Sequence, residues 1–229
     1  MDLQNTACIT LDGYNTLLAL DSPFEHLQEA LAENGMDVPM ETAEKALTNE
    51  MVYYREHHLE GRDMHSLHDL HIRCADVLFS GLEEQGFPSD FSVETQVDIL
   101  LCPISFSLFP DTVPFLELCR ENSIMLAVIS NWDCTLPDIL DQYGIKEYFK
   151  KITVSALENE AKPNPGLFTR TVRLLGVSPE TVTHIGDDID NDIIPAQKAG
   201  MEALLIDRNQ KYPEFKGEKI SSLEGIFKL

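Results

Sequence analysis

Short apolar runs alternate with segments of helical periodicity in the second half of the chain. The runs are rich in isoleucine, valine and leucine, which is typical of parallel strands buried on both faces. They cover residues 124–130, 151–156, 182–187 and 202–207. The helical segments, each followed by a glycine as at a helix C-terminus, cover residues 136–143, 165–175 and 189–199. Strands that alternate with helices in this way predict right-handed crossovers and a doubly wound α/β sheet.

A first apolar run, residues 7–11, stands apart from these by about a hundred residues. The sequence between them has helical periodicity and lacks strand-like runs. Ser22 and Pro23 stand where the N-cap and the first residue of a helix are expected. The pattern therefore predicts a core formed by residues 1–20 and 108–229, interrupted by an all-helical insert over residues 21–107.

The composition is that of a globular protein. With 229 residues, 43% of them hydrophobic, the chain can bury a sizeable core. No stretch approaches the length needed to cross a bilayer, and the first residues show no secretory signal. The five cysteines are odd in number and never spaced as C-x-x-C, which favours reduced thiols and a cytoplasmic location.

Acidic residues outnumber basic ones by 39 to 17, giving a formal charge of −22. A field of this sign repels nucleic acid and anionic lipid, so neither is expected as a partner. It would also oppose an anionic substrate, unless a bound cation and a few cationic side chains reverse the potential locally. The sequence leaves the oligomeric state open.

Chemically active side chains follow the predicted strands. In open α/β sheets ligands bind beyond the carboxyl ends of the strands, and the residues delivered to that edge are Asp12, Ser130, Asn131, Lys162, Asp187 and Asp188. Two ionised carboxylates that lie close together need a shared proton or a cation. With Asp190 and Asp192 nearby, hard oxygen ligands favour Mg2+. The serine, asparagine and lysine supply the donors that a phosphate needs opposite the metal.

These residues resemble, in order, the four motifs of the haloacid dehalogenase-like (HAD) superfamily. The motifs are D-x-x-x-T after an apolar strand, a strand ending in serine, Lys-Pro, and G-D-x-x-x-x-D, and they run over residues 8–192. The segments "AVISNWD" and "KPNPGLF" match in their flanks as well, and the helical insert falls where many members carry a cap. The resemblance implies a Rossmann-like core with strand order 3-2-1-4-5. It also implies a Mg2+-dependent phosphatase acting on a small phosphorylated metabolite.

On the metal side, the resemblance implies that Asp12 is the nucleophile that accepts the phosphoryl group. Asp12, Asp187 and the main-chain carbonyl of Tyr14 would be the Mg2+ ligands of the protein. Asp192 would support the metal or the lysine, and the Thr16 hydroxyl would orient the loop that presents Asp12.

On the phosphate side, the resemblance implies that Ser130 holds phosphate oxygens. The amide of Asn131, next along the chain, is a further donor for the substrate phosphate. Lys162 would steady the charge that develops between the nucleophile and the phosphate. Tyr14 would lie beside the substrate, where it could act as an acid, cover a substrate pocket or pack under the cap.

Position 14 departs from the superfamily's phosphatases, which usually carry a second aspartate there as general acid and base. Because the resemblance implies that the metal uses a backbone carbonyl at this position, Tyr14 would spare the metal site but remove the proton shuttle. A phenol with a pKa of about 10 is a poor base at pH 7, and general acid-base catalysis is worth about 100- to 10,000-fold. The sequence predicts slow turnover, or a cap histidine that replaces the missing shuttle.

Two other functions stay open. The pattern D-x-Y resembles the true haloacid dehalogenases, whose aspartate attacks carbon without a metal. Those enzymes typically lack the acidic motif "GDDIDND" and use an arginine near the start of the cap, whereas the first arginine here is Arg55. The other alternative is a catalytically weak protein that binds a ligand or partner through the retained site.

Overall fold

The computed structural model describes residues 6–228, which form two compact units. The core unit comprises the residues before Leu20 together with those from Leu108 onward, and the insert is Leu20–Ser107. The strands are β1 (Cys8–Leu11), β2 (Leu18–Leu20), β3 (Phe106–Leu108), β4 (Met125–Ser130), β5 (Lys151–Val154), β6 (Val182–Gly186), β7 (Glu202–Ile206) and β8 (Lys219–Ile220). The α-helices are α1 (Pro23–Glu33), α2 (Met40–His57), α3 (Met64–Glu84), α4 (Val93–Leu101), α5 (Thr112–Glu121), α6 (Leu136–Gln142), α7 (Ser155–Glu158), α8 (Pro165–Leu175) and α9 (Ile194–Lys198).

The core unit is built on a six-stranded parallel sheet of order β5-β4-β1-β6-β7-β8. This confirms the doubly wound α/β fold and the strand order 3-2-1-4-5 for the five predicted strands. The sixth strand, β8, has two residues, one exposed and one buried, and so offers too short a pattern to predict from sequence.

The central strands end near one another, with β4 running two residues and β6 one residue past the end of β1. Leu11, the last residue of β1, is in register with Val128 on β4 and with Ile185 on β6. Beyond it, the N–H of Asp12 donates to the carbonyl of Ile185 at 2.9 Å. The residues that follow β1 and β6, and the end of β4, therefore meet at one edge of the sheet.

One face of the sheet is covered by α8 and the segment around α9. Cys8 and Ile129 from the strands pack with Leu167, Phe168 and other fully or nearly fully buried residues of this cluster. The alternation of apolar positions on α8 therefore serves to cover the central strands.

Two predicted elements have different bounds from those expected. The run 151–156 is a strand only as far as Val154, because Ser155 turns into α7 and its hydroxyl exchanges hydrogen bonds of 3.0 Å with the N–H and carbonyl of Trp132. The helix expected over 189–199 begins instead with a π-helical turn, Ile189–Ile193, before α9. The Asp188 carboxylate caps this turn by accepting from the N–H groups of residues 190 and 191.

The insert contains the helices α1 to α4, with α2 and α3 packed along each other. Pro23 is the first residue of α1 and Ser22 is its N-cap, as predicted, but the Ser22 hydroxyl makes no capping bond because the residue has a left-handed φ of 43°. The strand β3 at the end of this segment pairs with β2 and was not predicted. Within residues 6–228, no helix is long and apolar enough to span a membrane.

Glu50 on α2 provides a test of how the insert responds to pH. The side chain is buried, and burial raises the pKa of its carboxyl from 4.5 to about 7, although a hydrogen bond with Cys74 acts to lower it. The folded protein thus holds this proton more tightly than the unfolded chain. The free energy of unfolding therefore falls by about 3 kcal/mol from this group as the pH rises through the interval between these two pKa values.

Glu50→Gln removes the ionisable group, so the variant is expected to gain that amount relative to the wild type between pH 4.5 and pH 8. Urea unfolding of the full chain at both pH values measures the change. Glu44→Gln, an exposed position on the same helix, is the matched control and is expected to follow the wild type. A Glu50→Gln variant whose stability also follows the wild type at both pH values contradicts the prediction.

Candidate active site

Three aspartates converge at the carboxyl edge of the sheet. Asp12 directly follows β1, Asp187 directly follows β6, and Asp192 lies in the π-helical turn beyond it. One carboxylate oxygen of each lies within 4.8 Å of the others. Among residues 6–228, these side chains form the one group of three or more histidines, cysteines or acids compact enough to hold a metal ion.

Lys162 bridges two of these aspartates. Its Nζ donates to Oδ1 of Asp12 and to Oδ1 of Asp192, both at 2.6 Å, and its side chain is 2% exposed. The Ser130 hydroxyl, at the end of β4, donates to the same Oδ1 of Asp12 at 2.8 Å. The structure thus brings together the predicted nucleophile, lysine and serine in direct contact.

Asn131 holds the lysine loop in place. Its side-chain oxygen accepts from the N–H of Lys162 at 2.8 Å, and its amide donates to the carbonyl of Lys162 at 2.9 Å. This pair of bonds ties the end of β4 to the segment before α8, in which the Lys162–Pro163 peptide is cis. The Asn131 side chain therefore positions Lys162, and its predicted contact with phosphate stays a prediction.

A buried histidine, His184, contacts the Asp192 carboxylate. Nε2 of His184 lies 3.3 Å from Oδ1 of Asp192, and Nδ1 lies 2.9 Å from the Thr10 hydroxyl. Oδ2 of Asp192 accepts from the N–H of Asp188 at 3.1 Å. Gly186 is required here, because a Cβ at that position would lie 2.2 Å from Cγ of Asp192. The sequence gives no sign of this contact between His184 and Asp192.

The charges in this cluster do not balance. Burial raises the pKa of Asp12 even though Lys162 acts to lower it. Burial, followed by the charges of Asp12 and Asp192, raises the pKa of Asp187 to about 7. Burial also acts to raise the pKa of Asp192, but the Lys162 charge and the hydrogen bond with His184 outweigh it and lower that pKa.

Burial similarly opposes the charge of Lys162, and the two aspartates outweigh it and raise the pKa of the ammonium. Three carboxylates face one ammonium, so the cluster carries an excess of negative charge when all three are ionised. A set of clustered carboxylate oxygens with excess negative charge fits a hard divalent cation such as Mg2+.

The loop after β1 completes this edge of the core unit. Asn15, in the left-handed region at a φ of 59°, donates from its side chain to Oδ2 of Asp187 at 3.2 Å. The Tyr14 ring meets the Trp132 ring edge to face, with centroids 6.5 Å apart. Gly13 leaves room for the serine, since a Cβ there would lie 3.1 Å from the Ser130 hydroxyl.

Thr16 is fully buried, and its hydroxyl has no hydrogen-bond partner among the described residues. The loop is instead held through main-chain atoms: the carbonyl of Thr16 accepts from Arg208 at 2.8 Å. Asn15 and Arg208 both contact this loop, and neither was predicted from the sequence. The loop-orienting role of the Thr16 hydroxyl stays a prediction.

Two histidines of the insert, His57 and His58, make hydrogen bonds within their own unit. Nδ1 of His57 lies 2.8 Å from the Tyr53 carbonyl and its ring stacks on Tyr53, and Nδ1 of His58 lies 2.8 Å from the Arg55 carbonyl. Their use as a proton shuttle stays a prediction.

Replacement of Lys162 by methionine tests the charge balance through stability. The change leaves Asp12 and Asp192 buried without their ammonium, and breaking a buried ion pair in this way typically costs about 3 to 5 kcal/mol. Urea unfolding at pH 7 with a chelator measures the loss. Lys150→Met, at an exposed lysine of the same unit, is the control, and a loss no larger than that of the control contradicts the prediction.

The structure is a doubly wound α/β fold with a cluster of aspartates at the carboxyl ends of its central strands. A family model described as haloacid dehalogenase-like hydrolase matches residues 6–200. The chain belongs to this family of haloacid dehalogenase-like hydrolases.

Curated relatives agree with this assignment. Haloacid dehalogenase-like hydrolase domain-containing protein 3 of Xenopus laevis is 30% identical over 127 residues, covering 56% of this chain and 52% of the relative. Glyceraldehyde 3-phosphate phosphatase of Methanopyrus kandleri is 36% identical over 107 residues, which is 46% of each chain. The chain thus spans about half the length of the curated relatives it matches.

Solved structures share the fold over nearly the whole chain. The HAD-hydrolase YfnB from Bacillus subtilis, bound to magnesium, has a TM-score of 0.74 at 19% identity, with 97% of each chain covered. L-2-haloacid dehalogenase from Xanthobacter autotrophicus has a TM-score of 0.70 at 16% identity, with 98% of each chain covered. At these identities the likeness shows the fold alone, because one fold can serve different reactions.

Proposed function

We propose that the protein is a Mg2+-dependent phosphatase that hydrolyses a small phosphorylated metabolite through an aspartyl phosphate on Asp12. The observation that carries this proposal is the cluster of Asp12, Asp187 and Asp192 around the Lys162 ammonium. Clustered acids suit a site that takes a cation and a phosphate. A metal-free site for a carboxylate substrate gains nothing from them.

The residues divide the reaction between them. The Asp12 carboxylate attacks phosphorus, the bond to the ester oxygen breaks, and the leaving oxygen takes a proton from water. Lys162 and Ser130, which contact Asp12 in this structure, are placed to stabilise the charge on the phosphate oxygens. Water then attacks the aspartyl phosphate, which releases inorganic phosphate and regenerates the carboxylate.

The residues present fit a bound Mg2+. Asp12, Asp187 and the Tyr14 carbonyl would hold it, and it would supply positive charge toward the phosphate oxygens. Asp192 has both oxygens engaged, by Lys162, His184 and the Asp188 N–H, so we assign it to support of the lysine. Asn15 donates to Oδ2 of Asp187, so Oδ1 of that carboxylate would be the atom that binds the metal.

Curated relatives support a phosphatase. Glyceraldehyde 3-phosphate phosphatase of Methanopyrus kandleri and phosphoserine phosphatase of Thermus thermophilus, the latter 30% identical over 136 residues, both act on small phosphate esters by their names. We therefore infer a small phosphorylated metabolite as the substrate and no nucleic acid or membrane partner. We propose a cytoplasmic location, because the cysteines are odd in number and never spaced as C-x-x-C.

A metal-free dehalogenase is the second candidate, favoured by the tyrosine at position 14. A catalytically weak protein that binds a ligand at the same site is the third. Neither of these two functions requires three aspartates around one lysine, which is the observation that carries the phosphatase proposal.

One assay series distinguishes the three functions. Release of phosphate is measured from phosphoserine, glyceraldehyde 3-phosphate and acetyl phosphate, each with Mg2+ and with a chelator. Halide release from 2-haloacids is measured in parallel. Turnover of phosphate substrates that the chelator removes supports the phosphatase, halide release unaffected by the chelator overturns it, and binding without turnover in either series favours the third function.

A further inference from the structure

Arg208, which follows β7, joins three parts of the core unit. Its Nη1 and Nη2 donate to the two carboxylate oxygens of Asp111 at 2.9 and 3.0 Å. The face of its guanidinium lies over the Phe109 ring, with Cζ 3.8 Å from the ring centroid. The side chain is 13% exposed and that of Asp111 is 9% exposed, so this ion pair is largely shielded from water.

The same guanidinium holds the loop after β1. Nη2 donates to the carbonyl of Thr16 at 2.8 Å, and Nε donates to the carbonyl of Asn15 at 3.3 Å. Four N–H groups of one planar side chain are thus shared between a carboxylate and two successive carbonyls. Lysine has a single nitrogen and no planar fork, so it could not reproduce this set.

These bonds act on the part of the loop that bears the expected metal ligands. The peptide between residues 14 and 15 is planar and trans, so its carbonyl and N–H point in opposite directions. The N–H of Asn15 donates to the carbonyl of Leu18 at 2.8 Å, which fixes the direction of the Tyr14 carbonyl. The next two carbonyls are held by Arg208, and the Asn15 side chain binds Asp187.

We propose that Arg208 is a positioning residue that holds the β1 loop in the conformation required to bind Mg2+. It acts through the loop carbonyls and touches neither the metal nor the substrate. This inference rests on the proposed function, because it assigns the Tyr14 carbonyl and Asp187 to the metal. Asp111 is its anchor, fixed in turn by the N–H of Leu223, which donates to Oδ2 at 2.7 Å.

The test is Mg2+ binding by calorimetry to the full chain, for the wild type, Arg208→Lys and Arg208→Gln. Loss of a residue that orients metal ligands typically weakens metal affinity about 10- to 100-fold. We expect an increase in Kd within that range for both variants. We also expect kcat to fall at fixed Mg2+ and to recover in part at saturating Mg2+, with KM for the phosphate ester nearly unchanged.

Arg120→Gln is the matched control, because Arg120 also pairs with a carboxylate, that of Glu117, and lies over an aromatic ring, that of Tyr148. It stands at the end of α5, before the amino end of β4, and its loss is expected to leave the Kd for Mg2+ unchanged. Thermal melts without Mg2+ show whether each variant is folded. Should Arg208→Gln fail to fold, Arg208→Lys and Asp111→Asn carry the test.

The outcomes separate the two proposals. A folded Arg208 variant with the wild-type Kd overturns the positioning role. In that case, Mg2+ binding and Asp12-dependent turnover by the wild type still support the proposed function. A wild type that binds no Mg2+ overturns both. An increased Kd for the Arg208 variants, with Arg120→Gln unchanged, supports the inference.

Discussion

Asp12→Asn is expected to abolish phosphate release, lowering kcat by about 10⁴- to 10⁶-fold, as loss of a catalytic nucleophile does in other covalent enzymes. The amide has nearly the shape of the carboxylate, and its oxygen can still accept from Ser130 and Lys162, which donate to Asp12 in this structure. It lacks the anionic oxygen that attacks phosphorus. The loss is therefore expected in kcat for every phosphate ester that the protein hydrolyses.

The measurement is single-turnover and steady-state release of inorganic phosphate with saturating Mg2+. Asp190→Asn is the matched control, since Asp190 is an exposed acid of the same acidic motif and is expected to keep wild-type turnover. Trapped aspartyl phosphate in the wild type, absent from Asp12→Asn, adds direct evidence. Phosphate release by folded Asp12→Asn at the wild-type rate contradicts the assigned nucleophile.

Tyr14→Asp is expected to raise turnover, by up to about 100- to 10,000-fold for esters with poor leaving groups. With tyrosine at position 14, the protein lacks the carboxylate that would protonate the leaving oxygen and then activate water. An aspartate at this position can restore both steps. Acetyl phosphate has a good leaving group, so the first step with this substrate gains less from the change.

Tyr14→Phe is the matched control for this change. It keeps the ring contact with Trp132 and removes only the hydroxyl. Turnover equal to the wild type shows that the phenol takes no part in proton transfer. A large fall in Tyr14→Phe, with no gain in Tyr14→Asp, would show that the tyrosine itself is the acid and that the prediction is wrong.

The fold could be predicted in large part because its strands are buried on both faces. The run 124–130 is continuous and almost wholly apolar. The order of the strands in the sheet followed from the resemblance to the HAD superfamily. The ends of elements were harder to predict. At Ser155 the strand stops because the hydroxyl bonds to Trp132, a partner that is remote in sequence.

The candidate site could be predicted where strand ends carry reactive side chains, as at Asp12 and Ser130. The contacts that hold those side chains could not. Arg208 is 193 residues from Asn15 in the sequence. A single arginine after a strand has no sequence pattern that distinguishes it from a solvent-exposed one. The contact of Asn15 with Asp187 could not be predicted for another reason. It depends on a left-handed backbone conformation at Asn15 that the sequence does not specify.

The register of β1 with β4 and β6 has a consequence for how this protein can change in evolution. A residue inserted into or deleted from β1 would move Asp12 by about 3.3 Å along the strand and turn alternate side chains to the opposite face of the sheet. The need to keep Asp12 in place therefore constrains the length of β1, just as it constrains the identity of the reactive side chains. Variation in length is expected instead at the amino end of the sheet, where the loops before β4 and β5 can lengthen without moving the aspartates.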